Sequence, residues 1–424
     1  MNVFDEFQWR GMVYDATEGL SEILATQSVT AYIGFDPTAS SLHVGSLLTV
    51  MGLARLQRFG HNPIAIVGGG TGMIGDPSGK SQERVLLSAE QIAQNVVGVK
   101  VQLERYLDFS GAHAARIVNN ADWLGTIDLV SFLRDAGKHF TVNYMLQKES
   151  VSRRLESEDG ISYTEFSYLV LQAYDFLQLF DRYGCTLQMG GSDQWGNITA
   201  GIDLVRKLRA KKAHGLVWPL MKTAAGTKFG KTEAGTVWLD AERTSPFAFY
   251  QFWLNTDDSD VLHYLKCFTF LEPAAIAELE AATRSSPEKR EAQRVLAREV
   301  TTIVHGAEHV TRAAHASSVL FGEDIATLSA EQVLAVFGDV PSSDVPSTAF
   351  EGHGVSLVDL LADPAVKLLP SKSEARRLVQ SGGVYVNNRR ASDPQMRLTR
   401  AQAIEGKLFV LRKGQKQNHV VRLR

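Results

Sequence analysis

The stretch from Thr30 to Gly69 constrains the fold most. It reads as an apolar strand (TAYIGF), a loop (DPTASSLHVGS), an amphipathic helix (LLTVMGLARLQRF) stopped by Gly60, and a second apolar strand (PIAIVGG). Two strands joined through a helix become parallel neighbours, and strands covered on both faces are apolar throughout instead of alternating. The same alternation returns after Tyr163: a long helix to about Arg182, a strand (CTLQMGG), a loop (SDQWGN) and a helix (ITAGIDLVRKLRA). Two half-sheets of this kind predict an α/β chain with a doubly wound parallel sheet. Ligand would bind beyond the carboxyl ends of the strands, where the strand order reverses, and both loops fall there.

The rest of the 424 residues differ in character. Ser245 to about Phe337 is rich in Ala, Glu and Leu and reads as helical, whereas GDVPSSDVPSTAFEGHG, within 338–354, reads as a linker. From Val355 onward there are 14 Lys and Arg against 5 Asp and Glu, leaving 30 against 42 elsewhere and a net charge of −3 overall. Such asymmetry points to a separate module for a polyanion. The expected organisation is a Rossmann-like domain over 1–240, an α-helical domain over 241–337, the linker, and a small basic α+β domain over 355–424.

Cys185 and Cys267 are too few for a disulfide framework and lack CxxC spacing, which fits a reducing cytoplasm. The N-terminal MNVFDEFQWRG has neither the basic flank nor the apolar core of a signal peptide, and no apolar run approaches the roughly 18 residues of a membrane span. Neither export nor membrane insertion is expected.

The stretch GGGTGMIGDPSGKS, Gly68 to Ser81, invites two nucleotide readings. A Walker loop needs four residues between its first Gly and the GK pair, and Gly75 to Gly79 leaves one too few. Gly70, Gly72 and Gly75 do satisfy GxGxxG after a strand. However, Pro77 and Gly79 interrupt the helix that a dinucleotide fingerprint should open, and Glu90 belongs to SAEQ, a capping box that starts a later helix. The remaining reading is a loop whose glycines admit a close approach and whose end carries a carboxylate, Asp76. His43 stands before a helix N-terminus, where free amides favour phosphate. Lys228 and Lys231 punctuate a glycine-bearing loop, GTKFGKT. On the helix from Thr164, Tyr168, Gln172 and Asp175 fall on one face of an apolar element, where polar groups need partners.

SLHVGS resembles the HIGH motif, and KFGKT the KMSKS loop, of class I aminoacyl-tRNA synthetases. YIGFDPTASSLHVGS, VGGGTGMIGDPSGK, ISYTEFSYLVLQAYDF and MGGSDQWGNI are similar to the tyrosyl-tRNA synthetase family of bacteria, in family order over nearly the whole chain. One position departs: Ser46 stands where the pattern has its second His, so a hydroxyl replaces a ring donor to ATP.

The resemblance implies activation of L-tyrosine by ATP to tyrosyl-adenylate, with Mg²⁺ accompanying ATP, and transfer of the tyrosyl group to the 3′-terminal adenosine of tRNA(Tyr). Tyr32 and Asp175 would bind the phenolic hydroxyl, and Asp76, Tyr168 and Gln172 the ammonium. Asn120 and Gln188 would support them or face the carboxylate. Gly34, Asp36, Thr38, His43, Gly45, Thr49, Gly191, Asp193, Gln194 and Lys231 would line the ATP and adenylate site. Lys228 and Lys231, with Lys80 and Arg84, would meet the departing pyrophosphate. In the basic module, PSKSEARRLVQSGGVYVNNRR reads as a helix with Lys372, Arg376 and Arg377, a turn, and a strand ending in Arg389 and Arg390, similar to the RNA-binding module of ribosomal small-subunit protein four. Family members are homodimers. Two rival readings stay open on the residues alone: a nicotinamide dehydrogenase resting on GxGxxG, and a non-catalytic RNA-binding relative suggested by Ser46.

Overall fold

Central strands of this chain are apolar because both faces of their sheet are covered. The structure, a computed structural model, describes residues 2–79, 84–156, 160–224, 226, 229–232, 235–320, 325, 328–337, 340–414 and 417–424. The chain divides into two compact units, Met1–Ser245 with Phe252–Val304, and Pro246–Gln251 with His305–Arg424.

In the first unit a six-stranded sheet runs in the order β1-β6-β5-β2-β3-β4. Its strands are β1 (Asp15–Ala16), β2 (Thr30–Phe35), β3 (Asn62–Val67), β4 (Arg116–Asn119), β5 (Cys185–Gly191) and β6 (His214–Trp218). All pairings are parallel except that of β1 with β6. The first strands step outward through β3 to β4, and β5 then returns to the other side of β2, so the order reverses between β2 and β5, as the two half-sheets predict.

Ile64 and Ile66 of β3 pack with Phe176, Leu177, Ala200 and Leu204 of the two helices that cover the sheet, Tyr163–Tyr183 and Trp195–Arg209. The longer of these starts at Ser162, whose side chain accepts from Glu165 N–H, and ends at Gly184 with φ +62°. β3 runs into a short 3₁₀ turn, Thr71–Met73, and the next helix, Ala89–Leu103, opens at the Ser88–Gln91 capping box. Among the described residues no α-helix opens at the glycines, where a dinucleotide fingerprint requires one.

The second unit is built on a five-stranded sheet, order β12-β11-β14-β15-β9. A small hairpin of the first unit supplies β7 (Lys231–Thr232) and β8 (Gly235–Thr236); here follow β9 (Ser342–Val345), β10 (Val355–Ser356), β11 (Val384–Val386), β12 (Arg389–Ala391), β13 (Arg397–Leu398), β14 (Leu408–Lys413) and β15 (Gln417–Leu423). Alternate residues of β14 and β15 bury on opposite faces. Phe409, Leu411 and Val421 join Leu361, Ala375 and Val379 on one side, and Leu408, Val410 and Val420 join Ala316, Val333 and Phe337 on the other.

Two expectations change here. The segment read as a linker contains β9, which pairs in parallel with β15, because the open edge of β15 offers backbone partners that a polar, Pro-flanked strand can take. The helical stretch 241–337 is shared between units, since its last helices cover the second face of the C-terminal sheet. In addition, VYVNNRR is not one strand. Asn387 and Asn388, both with positive φ, turn the chain, and Arg389–Arg390 lie on the return strand.

Candidate active site

From Ala31 to Phe35, β2 is buried except at Gly34, where the strand faces a cleft of about 630 Å³ at the β2/β5 reversal. The cleft is lined by Tyr32, Gly34, Asp36, Thr38, His43, Gly45, Ser46, Thr49, Asp76, Arg84, Asn120, Tyr168, Gln172, Asp175, Gln188, Gly191, Asp193 and Gln194. The fold thus gathers residues that the sequence scatters over more than 160 positions. Lys80 and Lys228, and the side chain of Lys231, lie outside the described residues.

One arm of the cleft is a chain of hydrogen bonds. Trp123 Nε1 donates to Asp175 Oδ1 at 2.7 Å, and Asn120 Nδ2 to Asp175 Oδ2 at 2.9 Å. Asn120 Nδ2 also donates to Thr71 Oγ1, whose hydroxyl donates to Asp36 Oδ1, while Tyr168 donates its hydroxyl to Asp36 Oδ2 at 2.9 Å. Burial raises the Asp175 carboxyl to about 7 against the lowering effect of its two donors. Asp36 is raised as well, by burial and then by the neighbouring Asp76 charge. Burial, followed by the Asp175 charge, holds the Tyr32 phenol well above its ordinary value. Tyr32 Oη and Gln188 Oε1 are buried with no partner among the described residues. Both residues line the cleft, and buried polar atoms of this kind call for a partner.

The second arm surrounds Asp76. Its Oδ2 accepts from Gln194 Nε2 at 2.7 Å and its Oδ1 from Ser78 N–H at 2.8 Å. Gln172 Nε2 donates to Gln194 Oε1 at 3.2 Å, and Asn197 Nδ2 to Gln172 Oε1 at 2.9 Å. Asp36, Asp76 and Asp175 together line the cleft with carboxyl oxygens that can accept from an ammonium and a hydroxyl donor.

The glycines of the Gly68–Gly75 loop admit protein side chains. A Cβ at Gly68 would collide with the Asp36 carboxylate and one at Gly69 with Asn119 Oδ1, while the Gly69 and Gly70 amides donate to Asn119 and Asn120 side chains at 3.1 and 2.7 Å. The close approach expected there is made by Asp36 and Asn119.

His43 is the N-cap residue of the Val44–Arg58 helix. Val44 N–H donates to Val237 O at 3.0 Å, Leu239 N–H to Leu42 O at 2.9 Å, and Val237 N–H to Gly230 O at 3.1 Å. Leu42–Val44 and Gly230 are thereby joined through Val237 and Leu239, which their separation in sequence does not suggest. Thr71, Ser78, Trp123, Asn197 and Lys222 are further residues in or behind the cleft that sequence reading did not single out. Asn119-Asn120, ending a strand one helical turn before Trp123, was the available signal.

A family model described as tRNA synthetases class I (W and Y) matches residues 24–322. The chain belongs to the class I tRNA synthetases. A second model, the C-terminal domain of SYY-like tyrosine–tRNA ligases, matches residues 339–421 of this synthetase. It is 56% identical to the tyrosine–tRNA ligase of Roseiflexus castenholzii over 99% of both chains, and 51% identical to that of Geobacillus stearothermophilus over 100% of both. A solved structure, the C-terminally truncated mitochondrial tyrosyl-tRNA synthetase of Aspergillus nidulans, is 30% identical with a TM-score of 0.69, covering 76% of the synthetase and 94% of that chain.

Proposed function

We propose that the synthetase activates L-tyrosine with ATP and transfers the tyrosyl group to tRNA(Tyr). The observation that carries the tyrosine assignment is the pair of buried groups, Tyr32 Oη without a partner among the described residues and Asp175 with its carboxyl near neutrality, which one phenolic hydroxyl would satisfy. Phenylalanine would leave Tyr32 Oη unpaired, at a cost of about 1–3 kcal/mol, and would forfeit the further bond to Asp175, whose oxygens keep only Trp123 and Asn120.

In this reading the tyrosine ammonium sits toward Asp76 and Gln172. Tyr168, expected there as well, donates its hydroxyl to Asp36 and keeps its oxygen lone pairs to accept from the ammonium. The ionised substrate carboxylate attacks the α-phosphorus of ATP, forming the acyl–phosphate bond and breaking the bond to pyrophosphate. No general base is needed, so the work is positioning and charge stabilisation. His43, the helix N-terminus behind it, Arg84, Lys228 and Lys231 supply the positive field, with Lys80 a few residues before Arg84 in sequence. Mg²⁺ would arrive with ATP as part of the substrate; among the described residues there is no cluster of three or more His, Cys, Asp or Glu to hold it alone. A hydroxyl of the terminal adenosine of tRNA then attacks the acyl carbon and AMP leaves.

The basic C-terminal module would hold the tRNA. Arg376 and Arg377 are exposed on the Lys372–Gln380 helix, whereas Lys372 pairs with Asp359 at 2.8 Å and Arg390 donates to the carbonyls of Ser381 and Gly382. Arg390 thus closes the hairpin against the helix end, and Arg376 and Arg377 are the stronger RNA contacts in this reading, with Arg389 beside them. The Leu129–Asp135 helix buries none of its residues and exposes Leu129 and Val130 by 69% and 73%, which supports a homodimer formed through this face. No helix among the described residues is long and apolar enough to cross a membrane.

Charging of tRNA(Tyr) with labelled tyrosine, compared with labelled phenylalanine, tests the assignment. Charging with tyrosine alone is expected, and equal charging with both would overturn it.

A further inference from the structure

The Asp258–Phe268 helix lies outside the cleft lining, yet it grips one wall of the cleft. Both carboxylate oxygens of Asp260, in the first turn of that helix, accept from Ala224 N–H, at 3.1 and 3.0 Å. Ala224 lies between Lys222, an exposed cation that lines the cleft, and Gly226, which lines it too and whose amide turns back to Thr223 O at 2.8 Å. A little further on, Phe229 is buried against Phe252, Trp253, Tyr264 and Phe268, with ring centroids 5.7, 5.8, 4.9 and 5.3 Å away. Tyr264 and Phe268 come from the same helix as Asp260. This helix therefore holds residue 224 by a carboxylate and supplies two of the four rings around residue 229.

We infer that Asp260 is a positioning residue for the nucleotide end of the cleft. It touches no substrate. It fixes the backbone at Ala224, between Lys222 and Gly226, which line the cleft. A bare amide at Ala224 would be hydrated and the wall free to shift, whereas a carboxylate with both oxygens on one N–H makes a charge-assisted bond. A shift of about 1 Å in such a wall is enough to slow chemistry by roughly two orders of magnitude when catalysis is positioning. The inference rests on the function proposed above.

The test compares the intact wild-type chain with Asp260→Ala and with Asp260→Asn, which keeps a side-chain acceptor. Three readouts are taken: tyrosine-dependent exchange of pyrophosphate into ATP, tyrosine affinity by calorimetry without ATP, and the rate of tryptic cleavage after Lys222. Asp260→Ala should lower kcat for exchange about tenfold or more and raise cleavage by a similar factor, with tyrosine affinity and melting temperature unchanged. Asp260→Asn should recover most of both. The inference is overturned if kcat in Asp260→Ala stays within twofold of wild type, whatever the cleavage rate. It is equally overturned if tyrosine affinity and melting temperature fall in step with kcat. If the wild-type chain exchanges no pyrophosphate while Asp260→Ala still raises cleavage and Asp260→Asn restores it, the anchor stands and the proposed function falls.

Discussion

Trp123 and Asp175 share a 2.7 Å hydrogen bond inside the core, indole Nε1 to carboxylate Oδ1. With Asn120 on the other oxygen, the carboxylate has two donors, and burial still brings it to about 7. Desolvation therefore outweighs both hydrogen bonds, and near neutrality the ligand-free site is divided between its charged and uncharged forms.

The sign of the pH dependence follows from that shift. A raised pKa means that the folded, ligand-free site holds its proton below pH 7 and releases it above. A phenolic O–H donates to the ionised carboxylate, so tyrosine affinity should rise between pH 6 and 8 as the ionised fraction climbs from about a tenth to nine tenths, roughly a tenfold gain. Calorimetric titrations across this range should show a proton released on binding at the acid end. A flat profile, or affinity falling with pH, would contradict the assignment of Asp175.

Trp123→Phe removes one donor while keeping an aromatic ring in the core. The Asp175 carboxyl should move further up, shifting the midpoint of the tyrosine-binding profile to higher pH. Affinity at pH 7 should fall by about 1–2 kcal/mol, or 5- to 30-fold. An unchanged midpoint would mean that Trp123 does not govern the charge on Asp175.

For the lysine-bearing loop, Lys231→Ala should slow adenylate formation by about 100-fold, around 2.7 kcal/mol, and change tyrosine affinity by no more than about twofold. Rapid-quench measurement of adenylate beside equilibrium titration of tyrosine separates the two effects. Equal losses in both would place Lys231 in ground-state binding.

The RNA module should act independently of adenylate chemistry. Replacing Arg376 and Arg377 together by Ala should raise KM for tRNA, leave pyrophosphate exchange unchanged, and reduce the salt slope of tRNA binding by about 2, one for each lost phosphate contact. An unaltered salt slope would move the RNA contact elsewhere in the module.

Local patterns made part of this structure legible in the sequence. The unbroken apolar strands fix the parallel sheet. The i, i+4 and i+7 spacing brings Tyr168, Gln172 and Asp175 to one helix face, and all three reach the cleft. Partnerships between distant residues are not encoded that way. Tyr168 meets Asp36 across 132 positions, Trp123 meets Asp175 across 52, and Ala224 meets Asp260 across 36. Each depends on where whole elements pack and not on any local period. The edge strand β9 was hidden for a related reason: Pro, Ser and Asp between two folded regions carry the composition of a linker, and only the open edge of β15 reveals its use.

The most direct test of the central claim is pyrophosphate exchange into ATP with tyrosine, with phenylalanine and without amino acid. Exchange dependent on tyrosine, and at background with phenylalanine, is the predicted result. Exchange that is absent from a folded sample, or equal with both amino acids, would contradict the account and direct attention first to Ser46 in the first case and to Tyr32 and Asp175 in the second.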